Sequence, residues 1–238
     1  MDIDDPRLRI AMARRMLYRS GCDTGIAQHV SERSVDGRSV FVSALDHGDR
    51  TTPGGVGRFD LADRTLVAGA ARTDPPLEYA PEYVEIYECC PMVRAIVHTH
   101  SFWTMVLCTT GETIGMFNTT ASLLADEQVA WQDDIFESTP RGERIATALD
   151  GKRVLLMRNH GLVVAAESLE VAVVLAGVVE EQARLHLEAR RHGGREMPSG
   201  HVGPMRRAHQ RTYVDHTWAA NVRRLRVTDP DLFVDGAV

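Results

Sequence analysis

Two apolar runs that each end in histidine constrain the fold of this chain more than any other feature. The run VRAIVHTH ends in His98 and His100, and the run KRVLLMRNHG ends in His160 followed by a glycine. Short apolar runs bounded by turn residues are typical of buried strands. Side chains two apart on a strand point to the same side, so the first two imidazoles reach the same point. A third imidazole from the second run would complete a three-histidine face.

The residues around these two strands predict further helices and strands in one α/β domain. Acidic caps, Pro6, Gly21 and apolar periodicity predict helices at DDPRLRIAMARRMLYRSG, PEYVEIYECC, SFWTMVLCTT, RGERIATALDG, SLEVAVVLAGVVEEQARLHLEARR and MRRAHQRTYVDHTWAANVRRL. Strands are expected at IAQHVSER, SVFVSAL and RTLVAGA. We expect HGDRTTPGGVGRFD to form a loop and GGREMPSGHVGP a linker-like turn. Because strands and helices do not strictly alternate, we predict a mixed sheet sandwiched by helices.

The size and charge of the chain exclude several classes of protein. Its 238 residues, 44% of them hydrophobic, are enough for one sizeable core, so we predict a single domain over residues 1–238. The net charge of -6 gives no general attraction to nucleic acids or anionic lipids. The four cysteines match neither a zinc motif nor a disulfide framework, which favours a reducing compartment. With no signal peptide and no long apolar stretch, we expect a cytoplasmic protein that binds a small molecule.

The three histidines predict a metal centre. Neutral imidazoles suit zinc best, and also manganese, iron or cobalt, so we expect one divalent ion per chain on His98, His100 and His160. Each motif alone is weak evidence, because an isolated HxH is common and a histidine before glycine is often a turn residue. Both motifs at strand ends together favour a metal site, since loops at strand ends commonly carry function.

These motifs also resemble a known family. The run AIVHTHS, followed about sixty residues later by LLMRNHGLVVA, resembles the class II aldolase/adducin family. The run GIAQHVSER is similar to the first hairpin of that family, and the resemblance covers residues 8 to 190, with a C-terminal helical segment at about 204–226 beyond it. It implies an α/β/α sandwich around a central mixed, mainly antiparallel sheet. It also implies a homotetramer and a divalent metal on the same three histidines.

The sequence departs from this family where the sugar-phosphate aldolases hold their phosphate. Those enzymes have S-S-E before a helix that bears H-x-x-x-Y, whereas this chain has Leu77, Glu78 and Tyr79, and Tyr83 replaces the helix histidine. The asparagine of the first hairpin is His29 here, and the T-P-S-G loop has no clear match. A phosphate dianion needs dedicated donors. We therefore expect a substrate without phosphate.

The resemblance and its departures together predict a metal-dependent carbon–carbon lyase. The favoured reaction is decarboxylation of a non-phosphorylated hydroxy carboxylic acid, an aromatic acid among the candidates, through a metal-stabilised enolate. One alternative is an aldolase or epimerase that acts on a small hydroxy-carbonyl compound or sugar. The other is a non-catalytic, adducin-like interaction protein, although the presence of all three histidines argues against it.

Six further residues are candidates for the site. The candidate proton carriers are Glu78, if the loop shifts by one residue, then Glu82 and Tyr83. The candidates for binding a substrate carboxylate are His29, Ser31 and Arg33. Three of them have structural alternatives: Glu82 stabilises the helix dipole from the first turn in any case, a helix tyrosine such as Tyr83 is more often core, and Arg33 is as well explained as a surface charge. Glu85 is expected to face solvent.

Overall fold

The described part of the chain folds around one eight-stranded sheet. The computed structural model describes residues 2–68, 80–134 and 136–234. The strands are β1 (His29–Arg33), β2 (Ser39–Ser43), β3 (Val56–Asp60), β4 (Leu66–Ala68), β5 (Ala95–Thr99), β6 (Gln128–Trp131), β7 (Val154–Met157) and β8 (Gly161–Ala166). The helices are α1 (Pro6–Arg19), α2 (Ala80–Cys89), α3 (Phe102–Thr110), α4 (Arg141–Leu149), α5 (Leu169–Arg191) and α6 (Ser199–Thr228).

The order of strands in the sheet is β4-β3-β2-β1-β5-β8-β7-β6. Neighbouring described strands pair antiparallel except for β6 and β7, which run parallel. The two histidine-ending runs form β5 and β7, and β8 lies between them and pairs with both. The predicted mixed, mainly antiparallel sheet is confirmed. Within the described ranges, no helix is long and apolar enough to cross a membrane.

Helices cover both faces of the sheet. On one face α1, α3 and α5 bury residues such as Met12, Leu107 and Val179 against the sheet. On the other face, α2 and α4 bury Ile86 and Ile145 in a second core. Successive strand residues alternate between these cores. The α/β/α sandwich predicted from the sequence is confirmed, and each large apolar side chain that it buries contributes about 1.5–3 kcal/mol.

Two stretches were predicted wrongly. Strand β3 lies inside the stretch expected to be a loop, because its backbone pairs with β2 and Val56 and Phe59 are buried. Its glycines signalled a loop, but tertiary pairing outweighs that local tendency. Helix α6 begins at Ser199 within the expected linker and contains Pro204. The residue before Pro204 is a glycine, whose missing Cβ reduces the clash that normally keeps this position out of a helix.

Asp229, which follows the last residue of α6, links that end of the helix to α1 through ion pairs. Its carboxylate pairs with Arg15 at 3.0 Å and with Arg19 at 2.6 Å. Burial of the side chain opposes ionisation, but hydrogen bonds from Arg19, Thr228 and Arg15 outweigh it and lower the pKa of Asp229 to about 2. A carboxylate with a depressed pKa stabilises the folded state only while it is ionised.

We predict that Asp229→Asn destabilises the protein by about 2 kcal/mol at pH 7, because it leaves two arginines without their shared partner. The unfolded pKa of an aspartate is about 3.9, so this stabilisation should be complete above that pH and disappear as pH falls towards 2. Urea unfolding of both proteins between pH 7 and 3 measures the difference. A gap that stays constant over this range would contradict the assignment, and Asp231→Asn, at a side chain that is 57% exposed, is the milder control.

Candidate metal centre

Strand β5 delivers two of the three histidines. His98 is in the strand and His100 follows its last residue, so both project from the face covered by α2 and α4. Helix α3 starts two residues later, and its first turn is fixed by Glu180 of α5. The Glu180 carboxylate accepts the backbone N–H groups of Trp103 at 3.0 Å and Thr104 at 2.9 Å. This anionic cap at a helix N-terminus holds the turn that carries His100.

The third histidine comes from the tight turn between β7 and β8. Asn159 in this turn has φ +55°, a left-handed conformation that asparagine tolerates better than most residues. Gly161 then passes so close to β5 that an added Cβ would lie 2.8 Å from His100 Cδ2 and would also overlap the Thr99 carbonyl oxygen. Glycine is required here by close packing, with no positive φ involved.

The three imidazoles converge on one point. Ring centroids are 4.6 Å apart for His98 and His100, 5.1 Å for His98 and His160, and 4.9 Å for His100 and His160. One nitrogen from each ring lies within 4.8 Å of the others. Ligand atoms that each contact one ion at about 2.0–2.1 Å lie at most about 4.2 Å apart, so a small movement of the rings would let all three contact a single ion.

Hydrogen bonding leaves lone pairs for an ion. His98 Nδ1 lies 2.8 Å from the Leu162 carbonyl oxygen, which can only accept, so Nδ1 carries the proton and Nε2 offers its lone pair. His100 Nε2 is buried and has no hydrogen-bond partner in the described part of the chain. A buried polar atom without a partner costs free energy. The histidine set therefore fits a metal ion.

The electrostatics of the cluster keep the rings neutral. Burial, followed by the two neighbouring imidazoles, lowers the pKa of His98 well below 6.5. Burial and then Arg141 lower the pKa of His100, and burial, Arg141 and His100 lower that of His160 to about 4. Neutral imidazole is the form that binds a metal.

The first turns of α2 and α4 place charged groups beside the histidines. Arg141, the first residue of α4, pairs with Glu82 of α2 at 3.0 Å and with Asp133 at 2.7 Å. Its Nη2 also lies 2.8 Å from His160 Nδ1. Gly142 allows this approach, because a Cβ at that position would overlap the Glu82 carbonyl oxygen. Glu85, expected to face solvent, is instead buried and accepts the Gly142 N–H at 2.9 Å.

His29 and Tyr83 form one wall of the site. His29 is opposite His98 in the antiparallel pairing of β1 with β5, so it lies beside the histidine cluster. The Tyr83 ring stacks on it at 3.4 Å between centroids, and both side chains are buried. Burial, and secondarily Arg14, lower the pKa of His29 well below 6.5, so this ring is also neutral. The sequence candidates His29 and Tyr83 are thus next to the cluster.

Ser31 and Arg33 are held elsewhere on β1. The Ser31 hydroxyl is fully buried between His29 Nε2 at 3.2 Å and the Tyr87 hydroxyl at 3.0 Å. The Arg33 guanidinium lies over the Tyr87 ring and donates to the Tyr87 carbonyl oxygen. Arg33 ends β1 while His29 begins it, which separates their Cα atoms by about 13 Å. Neither Ser31 nor Arg33 lines the cavity beside the histidines.

That cavity has a volume of about 220 Å³ and combines the histidines with charged and apolar side chains. Its described lining consists of Ala27, His29, Leu45, Glu82, Tyr83, His98, His100, Arg141, Ile145, Met157, His160 and Val163. None of these twelve residues is a serine, threonine or lysine. Glu78, the first sequence candidate for the proton carrier, lies outside the described residues.

Arg141 is the site residue that the sequence analysis missed. One local signal was available, because an arginine at the first position of a helix has the wrong sign for the helix dipole. Such a residue needs a compensating partner, and here Glu82 and Asp133 supply it.

Comparisons with known proteins agree with this architecture. The family model described as Class II Aldolase and Adducin N-terminal domain matches residues 8–187. A 3,4-dihydroxyphthalate decarboxylase from Rhodococcus jostii (strain RHA1) is 26% identical over 208 residues, which are 81% of this chain and 84% of that protein. A 5-methylthioribulose-1-phosphate/5-deoxyribulose-1-phosphate aldolase from Rhodospirillum rubrum is 25% identical over 190 residues, 75% of this chain and 81% of that one.

Solved structures share the fold. An aldolase II superfamily protein from Pseudomonas syringae superposes with a TM-score of 0.83 at 19% identity, over 95% of this chain and 94% of that one. At this identity the likeness concerns the fold alone.

We predict that Gly161→Ala disrupts the histidine cluster, because the new methyl group pushes on the His100 ring and on the β5 backbone. Overpacking of this kind costs about 1–3 kcal/mol. The matched control is Gly177→Ala, in α5, where an added Cβ meets nothing within 4 Å and replacement of a helical glycine should stabilise the protein. Thermal unfolding compares the two variants, and equal Tm values would refute the prediction.

Proposed function

Because the chain belongs to the class II aldolase and adducin family, we propose that it is a divalent-metal-dependent carbon–carbon lyase. We propose that it decarboxylates a non-phosphorylated hydroxy carboxylic acid, with hydroxylated aromatic acids as the first candidates. The observation that carries this proposal is the convergence of three neutral imidazoles in a cavity of about 220 Å³, where the buried His100 Nε2 has no hydrogen-bond partner among the described residues.

The proposed metal ligands are His98, His100 and His160. The Leu162 carbonyl fixes the orientation of His98, as hydrogen-bonded partners of metal ligands commonly do. Three nitrogen ligands suit zinc, and also manganese, iron or cobalt. When bound, the ion would act as a Lewis acid that stabilises the negative charge left as the carbon–carbon bond breaks.

The cavity lining supports a substrate without phosphate. A phosphate dianion is normally held by several hydroxyl, backbone or cationic donors. The described lining has no hydroxyl from serine or threonine and one permanent cation, Arg141. Apolar side chains such as Ile145, Met157 and Val163 make up much of the remainder. This mixture suits a carbon skeleton that bears few charges.

Glu82 is the proposed proton carrier among the described residues. It is the one carboxylate that lines the described cavity, and Arg141 holds it in place through contacts at 3.0 and 3.1 Å. Its role would be to protonate the carbanion after carbon dioxide leaves. Tyr83 is the second candidate donor within the described lining, and Glu78 stays a candidate from the sequence. His29 would orient the substrate from the wall that it forms with Tyr83.

The two kinds of relative show why the reaction must be tested directly. One is named for a decarboxylation and the other for an aldol cleavage. Both reactions leave an electron pair on the fragment that stays bound, so the same residues serve either. Aldol cleavage or epimerisation of a small hydroxy-carbonyl compound is therefore the alternative activity. We further propose that the protein acts as a homotetramer, as the family resemblance implies.

We predict about one divalent metal ion per chain in the wild-type protein and none in His160→Ala, because the variant loses one of three ligands. Elemental analysis by inductively coupled plasma mass spectrometry measures the content after dialysis. His192→Ala removes an imidazole that is 72% exposed and should retain the ion. A metal-free wild type after incubation with zinc, manganese or iron would disprove the metal site and favour the adducin-like role.

We predict release of carbon dioxide from at least one hydroxylated aromatic acid, and a loss of about 100-fold or more in Glu82→Gln with metal content unchanged. The control is Glu88→Gln, on the same helix but paired with Arg64 at the surface. Coupled assay of carbon dioxide, alongside trapping of aldehydes, separates the two reactions. Aldehyde without carbon dioxide would establish the aldolase alternative.

A further inference from the structure

Arg141 lines the cavity, but the function proposed above gives it no contact with the substrate. Its Nε donates to Asp133 at 2.7 Å and its Nη1 donates to both oxygens of Glu82. Its Nη2 lies 2.8 Å from Nδ1 of His160. Two carboxylates therefore anchor the guanidinium, while its third nitrogen contacts a proposed metal ligand.

This contact determines where the proton of His160 lies. A guanidinium can only donate, so Nδ1 of the ring must accept with its lone pair. A neutral imidazole has one lone pair and one N–H group, so the proton is on Nε2. In His98, by contrast, the Leu162 carbonyl places the proton on Nδ1. The two rings are thus held in opposite tautomers.

A metal ion on His160 is incompatible with the Arg141 contact. If the ion takes Nδ1, it uses the lone pair that Arg141 occupies. If it takes Nε2, the proton moves to Nδ1 and two donors face each other. Either way Nη2 of Arg141 loses its acceptor, while Nε and Nη1 keep their carboxylate partners.

The released nitrogen would lie in a cavity that has no other permanent cation in its described lining. A histidine that binds the ion does so as a neutral imidazole, so the three proposed ligands add no positive charge of their own. Arg33, which the sequence suggested as a carboxylate partner, lies outside the cavity, where it donates to the Tyr87 carbonyl oxygen and packs over the Tyr87 ring. An arginine N–H group without an acceptor is well suited to bind a carboxylate, because hydrogen bonds between oppositely charged groups are stronger than those between neutral groups.

We infer that Arg141 is the specificity-determining residue that binds the substrate carboxylate, and that metal binding frees it from His160 to do so. This inference rests on the proposed function, because it takes both the metal and an acidic substrate from it. It adds an order of events, in which the ion enters first and the acid follows. Glu82 and Asp133 hold the guanidinium in register throughout.

The first test compares crystal structures of the metal-free and zinc-loaded protein. We expect Arg141 Nη2 to lie beyond hydrogen-bonding distance of His160 once zinc is bound, with the contacts to Glu82 and Asp133 preserved. A zinc-loaded structure that retains the contact with His160 Nδ1 would overturn the inference. A protein that binds no zinc would instead contradict the proposed function, so the two failures are distinguishable.

The second test measures how much a carboxylate adds to binding. Catechol and 2,3-dihydroxybenzoate differ by one carboxylate, and both are titrated calorimetrically into the zinc-loaded protein. We expect wild type to bind the acid about 10–100-fold more tightly than catechol, the range for hydrogen bonds to charged groups. In Arg141→Met, the ratio of the two dissociation constants should fall to about one.

Two further variants keep the comparison interpretable. Arg144→Met removes a cation from the same helix that also pairs with Asp133 but contacts none of the three histidines, so it should retain the preference. Arg141→Lys keeps the charge without the planar fork and should retain part of it. All variants are compared at one zinc per chain, which shows that the centre is intact. A preference that survives in Arg141→Met, or is absent from wild type, would exclude Arg141 from this role.

Discussion

Close backbone packing between β5 and β8 is the constraint on which the site depends. His98 is in the middle of the sheet, paired with β1 on one side and with β8 on the other. The Leu162 carbonyl of β8 orients its ring, and Gly161 lets the next turn approach the His100 ring. Three imidazoles from two strand ends can meet at one point because the sheet fixes their backbones. The closely packed interior transmits small displacements, so a single methyl group added at Gly161 would shift the histidine rings.

Around this rigid set, α2 and α4 add the groups that carry charge. Both helices lie on the same face of the sheet and turn their first residues towards the histidines. Glu82 and Arg141 come from these first turns, and Asp133 comes from the segment before α4. Each of these charges is balanced by a neighbour, which limits the cost of placing them in a partly buried cavity. Strand ends thus supply the neutral imidazoles, whereas helix ends supply the charged groups Glu82 and Arg141.

The departures from the sugar-phosphate aldolases have a physical counterpart in the cavity. His29 occupies the place of an asparagine and stacks on Tyr83, so aromatic surface forms a wall where a phosphate would need donors. The missing serine pair predicted a cavity poor in phosphate donors, and the described lining contains no serine or threonine, while the stretch with Leu77 lies outside the described residues. The sequence named Arg33, with His29 and Ser31, as the candidates for binding a carboxylate, but Arg33 lies at the opposite end of β1 from His29 and packs on Tyr87.

The sequence by itself determined the three histidines proposed to bind the metal, the strands that lead to them and the layered fold. Those features follow from local rules: alternation along a strand brings His98 and His100 together, and apolar runs must be buried. The same local rules gave wrong predictions at β3 and at the start of α6. There, strand pairing and helix packing outweighed the glycine and proline residues that indicated a loop and a linker. Only the tertiary structure decided that Arg141 meets Glu82 and His160, 59 and 19 positions away. Ion pairs between distant segments depend on how the helices pack, and no spacing within the sequence encodes that distance.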